Sequence, residues 1–257
     1  MQWLIQCTDL PDTQTIRLLE EVKKRNLPFA PLGSIPFTDI ITGLDGTNPY
    51  LPSMFYGSVQ MSMKISAWDN YKPGAFYDKD WFDPRLWQGK RSDLLNEEAK
   101  EITVAELRCQ WVDEPMWIKS VKEKEVTGMV IEPVKEDKDT WLIEHSELDG
   151  NDILIIAPAL NIETECRFFV IQGEVVAGST YRWLGCRTIR RPIDQGMWDY
   201  VRQAVKEWMP NDTIVIDTCQ LKNGNYNVVE FNCINASGFY NSDVGAIVDE
   251  LENIWGR

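Results

Sequence analysis

Histidine is nearly missing from this chain: His145 is the only one in 257 residues. Any acid or base chemistry remote from that position must rest on carboxylates, lysines, arginines or a metal. Cysteine is sparse and scattered. Cys7, Cys109, Cys166, Cys186, Cys219 and Cys233 form no CxxC pair, so neither zinc-ligand spacing nor a short-range Cys/His dyad exists, and reduced thiols in a cytosol-like compartment are the expectation. Long apolar runs are absent too. The longest, residues 153–160, is too short to span a bilayer, and residues 1–12 have no basic n-region, so we expect a soluble cytoplasmic protein without a membrane partner. Positive charge is in deficit. Twenty-six Lys and Arg face 40 Asp and Glu, and the net charge of -14 opposes nonspecific binding to nucleic acid. A GxGxxG cradle is also missing, which argues against Rossmann and P-loop sites.

What remains is a globular chain with 44% hydrophobic residues, enough for one large core or two modest ones. Residues 3–6 (WLIQ) read as a strand. A helix over 13–25 follows, with Asp12 as N-cap and Ile16, Leu19 and Val22 on one face, and a strand over 28–32 completes a βαβ-like opening. Residues 33–95 are dense in Pro, Gly, Asp and aromatics and predict ordered loops and short elements. After a helical stretch at 96–109 come strand patterns in MWIKSV, TGMVIEPV, WLIEH, DILIIAPAL, ECRFFVI and EVVAGSTYRW. Amphipathic helices are predicted over 195–209 and 242–255. The second half is therefore α+β and rich in antiparallel strands.

One strand carries an acid and an amide among apolar residues: YNVVEFN, where alternation puts Glu230 and Asn232 on one face. The preceding strand, TIVIDTCQL, is separated from it by Asn223-Gly224, a strong hairpin signal. A two-residue turn there sets Asp217 opposite Glu230 and Val215 opposite Asn232. Carboxylates so opposed repel unless a positive charge lies between them. Asp217, Glu230 and Asn232 thus make an all-oxygen cluster suited to Mg²⁺, the alternative being a pair of strand-end acids splayed into solvent. By the same arithmetic, a turn at Gln172-Gly173 pairs Arg167 with Gly178 and Arg182 with Glu163, on one two-stranded surface.

These residues resemble the ATP-grasp enzymes over roughly residues 111–239, closest to a compact bacterial and viral clade. An Asp on one core strand followed by Glu-x-Asn on the next is the end of that family's signature, and here it is Asp217, Glu230 and Asn232 with the trailing NASGF. The resemblance implies an α+β ATP-grasp fold holding the nucleotide between two α+β subdomains (106–257), behind a smaller α/β region (1–105). It implies that Lys119 in MWIKSV reaches the nucleotide phosphates and that Ile156 and Ala157 form the hinge whose backbone holds adenine. The segment ETECRFFVIQGEVVAGSTYRW is similar to the hairpin of the glutathione-synthetase-like and ribosomal-protein-glutamylating branches, which makes Glu165 a nucleotide-site residue and Arg167 and Arg182 catalytic. The usual Gly-rich flap is replaced by KEKEVTGM. The implied reaction is ATP- and Mg²⁺-dependent joining of a small-molecule or peptide carboxylate to an amine through an acyl phosphate, with ADP and phosphate released; a nucleotide-binding module without turnover and a kinase on the same fold are the alternatives. Lys119 is otherwise a solvated strand lysine, and Glu165 and Arg167 otherwise pair with cross-strand neighbours. Arg187, Arg190 and Arg191 either grip an anionic substrate or form a solvated charge run.

Overall fold

A computed structural model describes residues 1–7, 11–35, 38, 40–121, 126, 128–133, 135 and 138–256. Its contacts divide the chain into two compact units, Met1–Arg91 with Glu163–Arg257, and Ser92–Ile162. The first unit opens with β1 (Gln2–Gln6), α1 (Thr13–Lys24), β2 (Phe29–Ser34), β3 (Ile41–Thr42), β4 (Ser53–Tyr56), α2 (Val59–Ser66) and β5 (Pro73–Gly74). They form a sheet in the order β3-β2-β1-β4-β5, parallel except for the β2/β3 pair. As the central strand, β1 is covered on both faces: Trp3 and Ile5 enter one core and Leu4 another.

Asp12 caps α1, its Oδ1 accepting the backbone N–H of Gln14 and Thr15, both at 2.8 Å. Val22 and, at the margin, Leu19 meet the core as expected, but Ile16 does not. Thr15, Leu18 and Val22 are buried while Ile16 is 43% exposed. The neighbouring Arg17 accounts for this, since its guanidinium donates to the carbonyls of Tyr240 and Ser242 and fixes which side of α1 meets the core.

The second unit holds β6 (Lys100–Thr103), α3 (Val104–Cys109), β7 (Met116–Ser120), β8 (Met129–Ile131), α4 (Lys138–Glu144) and β9 (Ile153–Pro158). Its antiparallel sheet runs β6-β9-β7-β8. Two expectations fail here. The stretch at 96–109 enters as strand β6 and becomes helical only where Thr103 and Glu106 close a capping box. WLIEH lies in and just beyond helix α4: Trp141 buries into the core with Leu148, and the His145 ring stacks on it at 4.3 Å, a contact that i,i+4 helical spacing permits. Most of KEKEVTGM lies outside the described residues.

The first unit resumes with β10 (Ile162–Ile171), β11 (Glu174–Trp183), β12 (Cys186–Arg187), α5 (Gln195–Glu207), β13 (Ile214–Leu221), β14 (Tyr226–Asn232) and α6 (Val244–Trp255). The strands order as β12-β11-β10-β13-β14. One face of this sheet meets α5, with Phe168 edge-on to Trp198 at 4.9 Å. From the other face Phe169, Ile171 and Val215 join Trp3, Ile5, Leu18, Val22, Ile247, Val248 and Leu251 in one core. Each such side chain contributes about 1.5–3 kcal/mol when fully buried, so this core dominates the unit's stability. Asn235, just beyond β14, ties the two sheets together by donating to the Phe55 carbonyl at 2.7 Å and accepting from Phe76 N at 2.7 Å.

Candidate metal and phosphate site

The face of the second sheet that is apolar at Phe169, Ile171 and Val215 changes character two residues along each strand. Period-2 alternation keeps Arg167 on the side of Phe169, and Asp217 on the side of Val215. Asp217 is 1% exposed, and Arg167 meets it through two parallel hydrogen bonds, Nε to Oδ1 at 2.8 Å and Nη2 to Oδ2 at 2.7 Å. A buried carboxylate here is matched by a fork of donors.

Asp217 is paired with Glu230, and Val215 with Asn232, as the spacing predicts. The turn that achieves this is different. Leu221 N donates to Asn225 O at 2.8 Å, which closes a three-residue loop with Gly224 at φ 88°, and that loop alone would shift the register by one. A bulge restores it, because the pairs run Thr218 to Val228 and then Asp217 to Glu230, passing over Val229. Asn232 Nδ2 donates to Asp217 Oδ2 at 3.3 Å and to Glu230 Oε1 at 3.1 Å, bridging the two acids.

The arginine hairpin departs further from expectation. Two bulges on β11, at Val176 and Tyr181, move Arg167 opposite Ser179 rather than Gly178, and Arg182 opposite Glu165 rather than Glu163. The second bulge brings three residues together. Arg182 Nη1 donates to Glu165 Oε1 at 3.0 Å, and the bulged Tyr181 donates its hydroxyl to Oε2 of the same carboxylate at 2.7 Å. Tyr181 also stacks on Tyr240 with centroids 5.1 Å apart, and the Arg167 guanidinium lies 5.0 Å from the Tyr240 ring centre. Sequence reasoning missed both tyrosines; the only sequence signal was their proximity to the arginine and NASGF motifs.

Charge is concentrated here. Burial pushes the Asp217 carboxyl up to about 6; Arg167 opposes that shift, while Glu230 and Glu165 add to it. Burial also works against the Arg167 charge, yet Asp217 outweighs it and holds the guanidinium above its ordinary value. Desolvation and the nearby carboxylates keep Tyr181 a phenol. Among the described residues no group of three or more His, Cys, Asp or Glu is gathered for a metal. The set on offer is two carboxylates and an amide, and hard-cation chemistry suits it: Mg²⁺ needs only one or two protein carboxylates when substrate phosphates and water complete its shell.

A family model for the ATP-grasp domain, describing the third family of its clade, matches residues 69–251. The chain belongs to that family. Solved ATP-grasp structures share its fold: a RimK domain protein from Sphaerobacter thermophilus DSM 20745 at TM-score 0.61, 11% identity, covering 97% of this chain and 98% of its own. The ATP-grasp ligase PsnB, complexed with a minimal precursor, gives 0.58 at 15% identity with 98% of both chains covered. The macrocyclase MdnC, bound to the precursor peptide MdnA from Microcystis aeruginosa MRC, gives 0.56 at 10% identity, covering 98% and 99%. No curated protein sequence matches this one.

The remaining ATP-grasp residues singled out from sequence lie in the second unit. Lys119 sits on β7 opposite Ile155 of β9, and Ala157 lies opposite Trp117, so these four share one face of the sheet. Ile156 is on the other face, packed on the unit's core. Its pairing with Lys100 is the last on the β6 side, so β9 continues through Ala157 and Pro158 without a partner strand there among the described residues. Ala157 is itself buried, 3% exposed, and Pro158 is exposed.

Proposed function

We propose that this ATP-grasp protein is an ATP-dependent carboxylate–amine ligase. The observation that carries the reading is the convergence of Asp217, Glu230 and Asn232 with Arg167 on one sheet face, beside Arg182 held by Glu165. A substrate carboxylate attacks the γ-phosphorus of ATP and ADP departs, leaving an acyl phosphate. An amine then adds to the acyl carbon, phosphate leaves, and the surplus amine proton goes to solvent. This chemistry needs positioning and charge neutralisation rather than a nucleophilic side chain, which suits a site built of carboxylates and arginines. Mg²⁺, when bound by Asp217, Glu230 and Asn232, would offset charge on the triphosphate.

The chain's own groups have these roles. Arg182 is half-exposed, its fork only partly used by Glu165, and it meets charge developing on the transferred phosphoryl group. Arg167 holds Asp217 ionised and in place. Glu165 orients Arg182 and borders the nucleotide, Lys119 contacts the phosphates, and the main chain at Ile156 and Ala157 takes adenine. Residues 1–68, which precede the matched ATP-grasp segment, carry substrate surface. A peptide is the favoured carboxylate source, because the PsnB and MdnC structures named above are complexes with precursor peptides, and the cytoplasm supplies the ATP.

One observation favours a second reading, a nucleotide-binding module without turnover: both Asp217 oxygens are already engaged by Arg167. Each oxygen keeps a second lone pair, so the ligase reading stands ahead. Incubation with MgATP and pooled amino acids and peptides decides between them. ADP, phosphate and a condensed mass are expected; AMP with pyrophosphate, or tight ATP binding with no turnover in any pool, would overturn the ligase reading.

A further inference from the structure

The arginines beyond β11 are unused by the site above, and their setting is unusual. Arg182 and Arg187 are directly opposed across the β11/β12 pair. Like charges placed so repel, and only Arg182 has a carboxylate against it. Among the described residues no ion pair joins Arg187, Arg190 or Arg191 to an acid, although the chain carries a net charge of -14. Arg191 lies over Trp183 with its guanidinium carbon 4.7 Å from the ring centre, a cation–π contact that helps hold the group in place. The indole Nε1–H beneath it is buried with no acceptor among the described residues.

The turn between these strands adds an independent sign. Leu184 and Gly185 both have positive φ, 47° and 78°, the pattern of a type I′ turn. Asn or Gly is the usual first residue. A leucine there is strained, and its side chain is 48% exposed. The hairpin therefore sustains backbone strain to display an apolar group among unneutralised arginines. In addition β12 is the last strand of its sheet, so main-chain groups stand at an open edge among the described residues.

We propose that this hairpin and the turn after it bind an acidic peptide, and that this peptide presents the carboxylate to be activated beside Arg182. The substrate class rests on the ligase reading; the binding surface does not. Charge complementarity calls for Asp or Glu side chains opposite Arg187, Arg190 and Arg191, and Leu184 calls for an apolar residue among them. The open edge takes peptide main chain, an interaction that a nucleic acid cannot offer. The overall negative charge also disfavours a long polyanion.

Fluorescence anisotropy with fluorescein-labelled Glu-Glu-Leu-Glu-Glu tests this on the full chain, without ATP. The parent should bind it, and Arg187→Glu/Arg190→Glu/Arg191→Glu should weaken binding at least tenfold while the melting curve and ATP titration stay unchanged. Leu184→Asn should raise the melting temperature and weaken this peptide, yet leave unchanged the binding of a peptide with Ser in place of Leu. Equal binding by parent and triple variant overturns the proposal, as does tighter binding of an oligothymidylate of equal charge. Peptide binding lost in the triple variant, with no turnover of any peptide by the parent, upholds the surface and overturns the ligase reading instead.

Discussion

Arg167 and Asp217, fifty residues apart in sequence, form a two-pronged ion pair on neighbouring strands with almost no solvent around the carboxylate. The pair has a structural task as well as any catalytic one. Breaking a buried pair from one side leaves an uncompensated charge and costs about 3–5 kcal/mol, so Asp217→Ala and Arg167→Ala should each unfold well below the parent. Replacing both with Leu and Met should recover most of the stability and none of the ATP turnover. A double-mutant cycle on melting temperature, run beside an ADP assay, separates the tasks; additive losses in stability would contradict the pairing.

Glu230 offers the cleaner test of the metal site. It is half-buried, lies opposite Asp217 and is bridged to it by Asn232. Glu230→Gln removes one of two crowded like charges, so folding stability should hold or rise slightly while Mg²⁺-dependent ADP formation collapses. Wild-type turnover in this variant would remove Glu230 from the metal set.

Arg182 should act on rate. Removing one group that stabilises developing charge typically costs about 10² to 10³ in kcat, so Arg182→Ala should bind ATP nearly as well as the parent yet turn over far more slowly. Arg182→Lys should recover only part of the rate, since an ammonium lacks the fork. Calorimetric ATP titration and steady-state kinetics read the two effects apart; a large loss of ATP affinity at unchanged kcat would move Arg182 into the nucleotide pocket.

The acid side of the stability profile rests partly on Arg25, which pairs with Asp249 at 2.8 Å and with Glu21. Its hydrogen bonds hold the Asp249 and Glu21 carboxyls below their ordinary values of 3.8 and 4.5. Groups with lowered native pKa stabilise the fold above those values and lose that contribution as pH falls through the lower native ones. Arg25→Gln should therefore melt below the parent at pH 7, with the gap closing below about pH 4. A gap that persists at about pH 2.5 would assign the effect to packing.

The opposition of Asp217 and Glu230 was legible because the hairpin pattern was strong and because two deviations cancelled: the three-residue loop removes one register step and the bulge at Val229 restores it. Nothing comparable rescued the β10/β11 hairpin. Its bulges at Val176 and Tyr181 add rather than cancel, and apolar alternation does not mark where a strand will take an extra residue, so the Glu165–Arg182 pair was hidden. The Arg167–Asp217 pair was hidden for another reason: β10 and β13 are neighbours only because of sheet order, which local pattern does not encode. Helix α4 was misread since a five-residue apolar window fits either period, and tertiary burial of Trp141 decided it.

The interruption of the first unit by Ser92–Ile162 bears on how the chain is made. Trp3, Ile5 and Val22 belong to a core whose other half, from Phe169 to Leu251, is translated only after the whole second unit. At roughly 5–20 residues per second, the apolar face of β1 and α1 waits roughly 10–30 s for its partners on the ribosome. The second unit, contiguous in sequence, can close during that interval. A fragment ending at Ile162 should therefore carry one protease-resistant unit after a sticky, half-covered sheet, and limited proteolysis of that fragment would show it.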